Sequence, residues 1–296
     1  KQNDEQVDES SSVQSNFKFK LKDKIIQYLS IEANRNNIKA QYYLGDLYYE
    51  GKYVTQDINK AIYYFALAAK QNDLQSQIDL GNIYYSGEYV TRDINKAIYY
   101  YSLASDQNDS EAQFNLGNIF YEGKYVSRNI DKAIYYLTLS AKQNDFDAQF
   151  NLGVIYFEGK YVKRDIDKAI HYYLLSANQN NPRAQFNLGT MYYFGEFVDK
   201  NINKAILYLT LAASQDYLDA QIILADIYFD GKDILKDVKK AIFYYTLAAN
   251  QNDPRAEFRL GTIYYEGKYV LQDINKAINY FILAAEKNYA DAQLNI

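Results

Sequence analysis

Apolar and polar positions alternate along this chain in a helical rhythm. Between Ala112 and Tyr121 the apolar residues are Ala112, Phe114, Leu116, Ile119, Phe120 and Tyr121. Spacings of three and four recur, which predicts a helix. Gly123 follows as a stop signal, and a short loop, Lys124–Arg128, separates it from a second run. Asn129 stands before Ile130, where an N-cap side chain would accept hydrogen bonds from the exposed N–H groups of the first turn. That second helix is expected to run to about Lys142. Asn144 then occupies the slot where the chain must turn back. After glycine, Asn and Asp best tolerate the left-handed conformation that ends a helix. The only two prolines, Pro182 and Pro254, fall just after such turns, where the first helical position tolerates them.

The pair of helices recurs. Leu-Gly stands at Leu44-Gly45, Leu80-Gly81, Leu116-Gly117, Leu152-Gly153, Leu188-Gly189 and Leu260-Gly261, with Leu224-Ala225 in the remaining slot. Each step is 36 residues with no insertion or deletion. A stop glycine keeps the same phase from Gly51 to Gly267, and so does an alanine from Ala61 to Ala277. Seven units of helix A, loop, helix B and turn follow. The small residues Gly45, Ala61 and Ala68 would let helices approach closely while Leu44, Tyr48 and Phe65 fill the space left. No hairpin of this kind buries its apolar face alone, so neighbours must stack into a continuous core. Residues 24–34 align with a helix B and predict a half-repeat before the first full unit. Ala292-Gln293-Leu294 begins a further helix A, which leaves room for the array to continue past Ile296. Residues 1–16 are polar, acidic and serine-rich and predict a disordered segment, with the repeat domain over 17–296.

Composition narrows the chemistry. Hydrophobic residues make up 48% of the 296 positions and the formal net charge is −5, without the dominant basic surface of a nucleic-acid-binding protein. Cysteine is absent, so disulfides, thiolate metal sites and a cysteine nucleophile are excluded; this suits the cytoplasm. No apolar run approaches the length of a membrane span. The first residue is Lys1, as in a fragment or processed chain. The 34 tyrosines, with abundant Asn, Lys and Ile, fit AT-rich coding. No phosphate loop or zinc spacing occurs, and no acid/base pair stands out, so no catalytic residue, cofactor or metal is expected. His171, the only histidine, replaces a helix B tyrosine and reads as a surface or packing residue. Asn108-Asp109-Ser110 matches a glycosylation sequon.

The units read AQFNLGNIFYEGKYVSRNIDKAIYYLTLSAKQND and close variants. The Ala-Gln-x-x-Leu-Gly opening, Tyr-x-x-Gly, Val-x-x-Asp and Lys-Ala-x-x-Tyr-Tyr-x-x-Ala-Ala elements resemble the Sel1-like repeat, a relative of the tetratricopeptide repeat. The resemblance covers roughly residues 24–296. It departs from the family at Tyr53, Tyr89, Tyr125, Tyr161, Phe197, Asp233 and Tyr269, where a second loop glycine is common, and at the Asn or Asp that ends helix B, where glycine is usual. The resemblance implies an all-α, right-handed superhelix acting as a protein-interaction scaffold. A cysteine-rich branch linked to β-lactams does not transfer, because this chain lacks cysteine.

In related superhelices helix A lines a concave groove, and three rows of this chain then face it. The first holds Tyr42, Ile78, Phe114, Phe150, Phe186, Ile222 and Phe258 and is expected to serve mainly as packing. The second holds Asp46, Asn82, Asn118, Val154, Thr190, Asp226 and Thr262. The third holds Tyr49, Tyr85, Tyr121, Phe157, Tyr193, Phe229 and Tyr265, beside Glu50, Glu122, Glu158, Asp230 and Glu266. Tyrosine gives a large contact area with a polar tip and is enriched at interfaces. The expected partner-binding residues are Tyr49, Asn82, Tyr85, Asn118, Tyr121, Glu122, Phe157, Glu158, Tyr193, Phe229 and Tyr265, receiving another protein or a peptide segment. A second reading makes the chain the partner-recruiting arm of a larger enzyme, such as a kinase or a ubiquitin-ligase subunit.

Overall fold

The computed structural model describes residues 23–293; the polar segment 1–16 lies outside them. The described residues are all helical apart from turns and loops. Their contacts form two compact units that meet in sequence at Gln143 and Asn144. The first unit holds α1 (residues 23–34), α2 (Ile38–Glu50), α3 (Ile58–Lys70), α4 (Leu74–Ser86), α5 (Ile94–Asp106), α6 (Ser110–Glu122) and α7 (Ile130–Lys142). The second holds α8 (Phe146–Glu158), α9 (Ile166–Asn178), α10 (Pro182–Phe194), α11 (Ile202–Ala213), α12 (Leu218–Asp230), α13 (Val238–Asn250), α14 (Pro254–Glu266), α15 (Ile274–Glu286) and α16 (Ala290–Gln293). Within each unit, helices adjacent in sequence pack against each other. Even-numbered helices from α2 to α14 are the A helices and the odd-numbered ones that follow are the B helices. The half-repeat and the incipient last helix are present as α1 and α16.

Local chemistry sets the boundaries, with one exception. Helix A ends at a glycine in the left-handed region, as at Gly123 with φ 62°. Helix B begins at Asp57, Asp93, Asn129, Asp165, Asn201, Asp237 or Asp273, whose side chain accepts the N–H three residues on. Helix B ends at Asn72 and its equivalents, all with φ near +60°. There Asp73 N–H donates to the Ala68 carbonyl and Asn72 N–H to that of Ala69, the paired bonds of a Schellman turn. Helix A starts two residues earlier than its apolar pattern indicates, because the residue after that Asn is itself an N-cap. Asp109 accepts from Ala112 N–H, and Asp73, Asp145, Asn181 and Asp253 do likewise. The exception is Tyr217, which makes no cap bond and packs its ring 4.8 Å from Phe186 instead.

Three contacts repeat inside the hairpins. The helix A glycine meets a large helix B side chain. A Cβ at Gly45 would lie 2.5 Å from Phe65, and one at Gly117 2.6 Å from Leu137. At the other end, Lys60 sits 5.0 Å over the Tyr48 ring, which stacks on Tyr64 at 6.0 Å. The trio recurs as far as Lys276, Tyr264 and Tyr280, with Phe120 in the first tyrosine's place beside Lys132 and Tyr136. The third contact is a buried amide ladder. Gln41, Gln77, Gln113, Gln149, Gln185 and Gln221 are at most 1% exposed. Each accepts a hydrogen bond from the glutamine thirty residues on, from Gln71 to Gln251. Gln41, Gln77, Gln113, Gln185 and Gln221 also donate to a carbonyl at the end of the preceding helix B, as Gln41 does to Ala33. Each such amide thereby ties three helices.

The last rung is different. Glu257 and Lys287 replace the two glutamines and form an ion pair. Glu257 is 2% exposed and its Oε2 is buried without a hydrogen-bond partner, since a carboxylate cannot donate to a carbonyl. Breaking a buried pair on one side leaves an uncompensated charge. Lys287→Gln alone is therefore expected to destabilise by about 3 kcal/mol, whereas Glu257→Gln with Lys287→Gln restores the ladder and stabilises by about 1 kcal/mol. Urea-unfolding midpoints of the three proteins check the order.

Candidate functional site

The three rows of helix A occupy distinct environments. In the first, Ile78, Phe150 and Ile222 are buried and the others are half-buried. Phe150 lies 5.8 Å from Tyr173, and Phe258 lies 5.7 Å from Phe281. This row is mainly packing, and its Tyr42 also lines a cavity between α2 and α4. The second row is polar apart from Val154, and none of its residues is buried. The Tyr101 hydroxyl donates to Asn82 Oδ1 at 2.6 Å, which leaves the Asn82 amide N–H groups to donate. The Tyr245 hydroxyl donates to Asp226 Oδ1. Thr190 and Thr262 turn their hydroxyls back onto helix carbonyls. Asn118 is half-buried.

The third row is half-buried from Tyr49 to Phe229, and Tyr265 is exposed. Tyr49 packs inward on Phe65 at 6.5 Å and is met edge-on by Tyr89, in the next repeat's loop, at 5.7 Å. Phe157 is met by Phe197 at 5.3 Å, and Phe229 by Tyr269 at 6.2 Å. The loop aromatics that depart from the Sel1-like pattern therefore cover part of the row. Sequence reading missed this, although the 40-residue offset between partners is constant. Tyr85 and Tyr121 are half-buried in the first unit, and Tyr193 in the second, with Lys200 5.5 Å over its ring. Glu122 and Glu158 are exposed on the same helices. The structure thus places Tyr49, Asn82, Tyr85, Asn118, Tyr121 and Glu122 on α2, α4 and α6 of the first unit. Phe157, Glu158, Tyr193, Phe229 and Tyr265 lie on α8, α10, α12 and α14 of the second. His171 is exposed, its ring edge-on to Tyr172 at 5.2 Å.

A cavity of about 300 Å³ opens between α2 and α4. Tyr42, Tyr49, Phe65 and Ile83 give it apolar walls, and Asp46, Glu50, Asp79 and Asn82 give it polar ones. Burial pushes the Asp79 carboxyl up to about 6, reinforced by Asp46, Glu111 and Asp73 and opposed by the Gln75 hydrogen bond at 3.1 Å. Asp46 is raised for the same reason, with Glu50 adding repulsion. The Tyr42 hydroxyl rises to about 12 through burial and the neighbouring acids Asp79, Asp46 and Asp73. Asp79 was not among the expected site residues, because an isolated Asp on helix A carries no signal of its surroundings.

These units stack helical hairpins of fixed length around a core that every repeat supplies in the same places, which defines a helical-repeat solenoid protein. The Sel1 repeat matches seven consecutive segments, 38–73, 74–109, 110–145, 146–181, 182–217, 218–253 and 254–289, and the chain belongs to the Sel1 repeat family. It is similar to the protective antigen c5321 of uropathogenic Escherichia coli strains, with a TM-score of 0.81 and 28% identity over 91% of this chain. This chain spans only 58% of that protein's length. It is also similar to a Sel1 repeat protein from Oxalobacter formigenes, with a TM-score of 0.80, 31% identity, and coverage of 93% of this chain and 80% of the other. No curated protein matches the chain. Sel1 repeat proteins generally mediate protein–protein interaction and are generally non-catalytic. No helix among the described residues is long and apolar enough to cross a membrane.

The raised Asp79 carboxyl has a consequence for stability. A carboxyl with a pKa near 6 in the folded chain and 3.8 as its ordinary value holds its proton more tightly when folded. Between those values the native state binds more protons, so stability falls as pH rises through that window. Asp79→Asn removes the buried charge. It is expected to stabilise the fold at pH 7 by roughly 1 kcal/mol after allowing for solvent screening, raising the thermal midpoint there, and to leave the midpoint unchanged near pH 3.5. Thermal melts at the two pH values check this.

Proposed function

We propose that the chain is a non-catalytic scaffold that binds a peptide or protein segment along the exposed face of its A helices. The observation that carries this reading is the third aromatic row. From Tyr49 to Phe229 its rings are half-buried, so each is held in place by packing and still offers an edge to a partner. A ring fixed in this way loses little conformational entropy on binding, which favours Tyr and Phe as anchors. Beside the row, Asn82 has amide N–H groups for a partner's backbone, and Glu122 and Glu158 stand exposed. In the first unit the binding residues are Tyr49, Asn82, Tyr85, Asn118, Tyr121 and Glu122. In the second they are Phe157, Glu158, Tyr193, Phe229 and Tyr265. Each presents its helix A surface in the same register, so an extended segment meets one ring per repeat.

Tyr121→Ala with Tyr193→Ala is expected to weaken partner binding by tenfold or more, as truncation of aromatic anchors does, while leaving helicity intact. Circular dichroism and an affinity measurement on the recovered partner check both halves. Loss of the helical signal would instead make these rings part of the core.

A further inference from the structure

The cavity between α2 and α4 is acidic on one side and aromatic on the other, and no lysine, arginine or histidine lines it. Buried or half-buried carboxylates are ordinarily paired with a cation or with hydrogen-bond donors. The same register five repeats later holds a hydrogen-bond donor on the first acid and a cation in place of the third. There Asp226 and Asp230 stand where Asp46 and Glu50 stand. Tyr245 takes the place of Phe65 and donates its hydroxyl to Asp226. Arg259 takes the place of Asp79, close enough for its charge to act with those of Asp226 and Asp230 on the Tyr245 hydroxyl. At α2 and α4 the hydroxyl is gone, because Phe65 has none, and the arginine has become a third carboxylate. Asp46 accepts no hydrogen bond from the described residues, and Asp79 accepts one only from Gln75, on its own helix.

Resting on the peptide-binding reading above, we infer that the α2–α4 cavity takes a lysine or arginine side chain of the bound segment, so that the partner of the first unit is a basic peptide. The chemistry is complementary on each wall. Asp46 and Asp79 supply charge-assisted hydrogen bonds to an ammonium or guanidinium. Tyr42 and Tyr49 supply ring faces that attract a desolvated cation. The volume of about 300 Å³ holds such a head with part of its methylene stem. The bound cation stands where Arg259 stands in the later repeat, and the selectivity lies in the acids that the cation neutralises.

The test uses the full chain and a random twelve-residue peptide library displayed on phage. Enriched peptides are expected to carry Lys or Arg at a fixed position. Synthetic copies should lose affinity tenfold or more when that residue becomes Gln. The same loss is expected in Asp79→Arg, which reproduces Arg259, and in Asp46→Asn with Asp79→Asn, which covers the case that the arginine variant misfolds. Circular dichroism confirms the fold of each. Asp131→Asn with Asp167→Asn removes two exposed charges from helix B and is expected to change nothing. Enrichment without basic residues, equal binding by the cavity variants, or an equal loss in the helix B control overturns the inference while leaving the groove reading standing. Failure of the library to enrich any peptide overturns both.

Discussion

Six of the seven hairpins rest on one steric constraint, the contact between a glycine in the middle of helix A and a large side chain on helix B, and the seventh has the next smallest residue, Ala225, in that slot. With no Cβ at Gly45 the Phe65 ring lies against the helix backbone, at a separation that any side chain would close to 2.5 Å. Tyr101, Tyr173 and Phe281 sit on glycines in the same way, and Leu137 and Leu209 do so with a smaller body. Glycine in a helix interior costs about 1 kcal/mol relative to alanine, so its recurrence here signals a packing gain larger than that. The contact fixes how closely the two helices of a hairpin approach. The amide ladder and the Lys-Tyr-Tyr stack join side chains across the same gap, and both persist where Ala225 stands in the glycine slot.

Much of this was legible because the constraint falls on residue types with few alternatives. A left-handed backbone at a helix end admits Gly, Asn and Asp, so Gly123 and Asn144 announce their turns. A helix start exposes N–H groups that Asp and Asn satisfy, so Asp57 and Asn129 announce theirs. The A-helix caps, such as Asp109, were harder to see because an acidic residue beside a turn Asn reads as ordinary loop. The ladder was illegible for a deeper reason. Gln41 and Gln71 are amides that polarity assigns to the surface, and only the fold shows Gln41 buried with Gln71 hydrogen-bonded to it. Likewise, nothing local says that Tyr89 lies on Tyr49, or that Asp79 is a desolvated acid while the exposed Glu122 is a solvated one.

The division between constant and variable positions follows the proposed binding face. Residues that hold the hairpins together hardly change between repeats, because each does the same geometric work seven times. Variation concentrates on the outward register of helix A, where Asp46, Asn118, Val154 and Thr190 are equivalents in fold but not in chemistry. A scaffold of this kind separates stability from recognition. Its core absorbs the energetic demands, and on the proposed reading its A-helix face carries a different group at each repeat.

That separation is incomplete at one place, and the exception is informative. The carboxyls of Asp46 and Asp79 are both raised by burial beside other acids, an arrangement that opposes folding at neutral pH. The chain also contains a different solution, since Tyr245 donates to Asp226, the equivalent of Asp46, and Arg259 stands in the register of Asp79. Positions that could have been relieved by substitutions already present in a sister repeat, yet are not, mark a stability cost borne for something other than folding. Costs of that kind accumulate where a protein must leave an interaction for its partner to complete. The acids between α2 and α4 are therefore better explained by what they would gain from a bound cation than by anything they contribute to the hairpins that hold them.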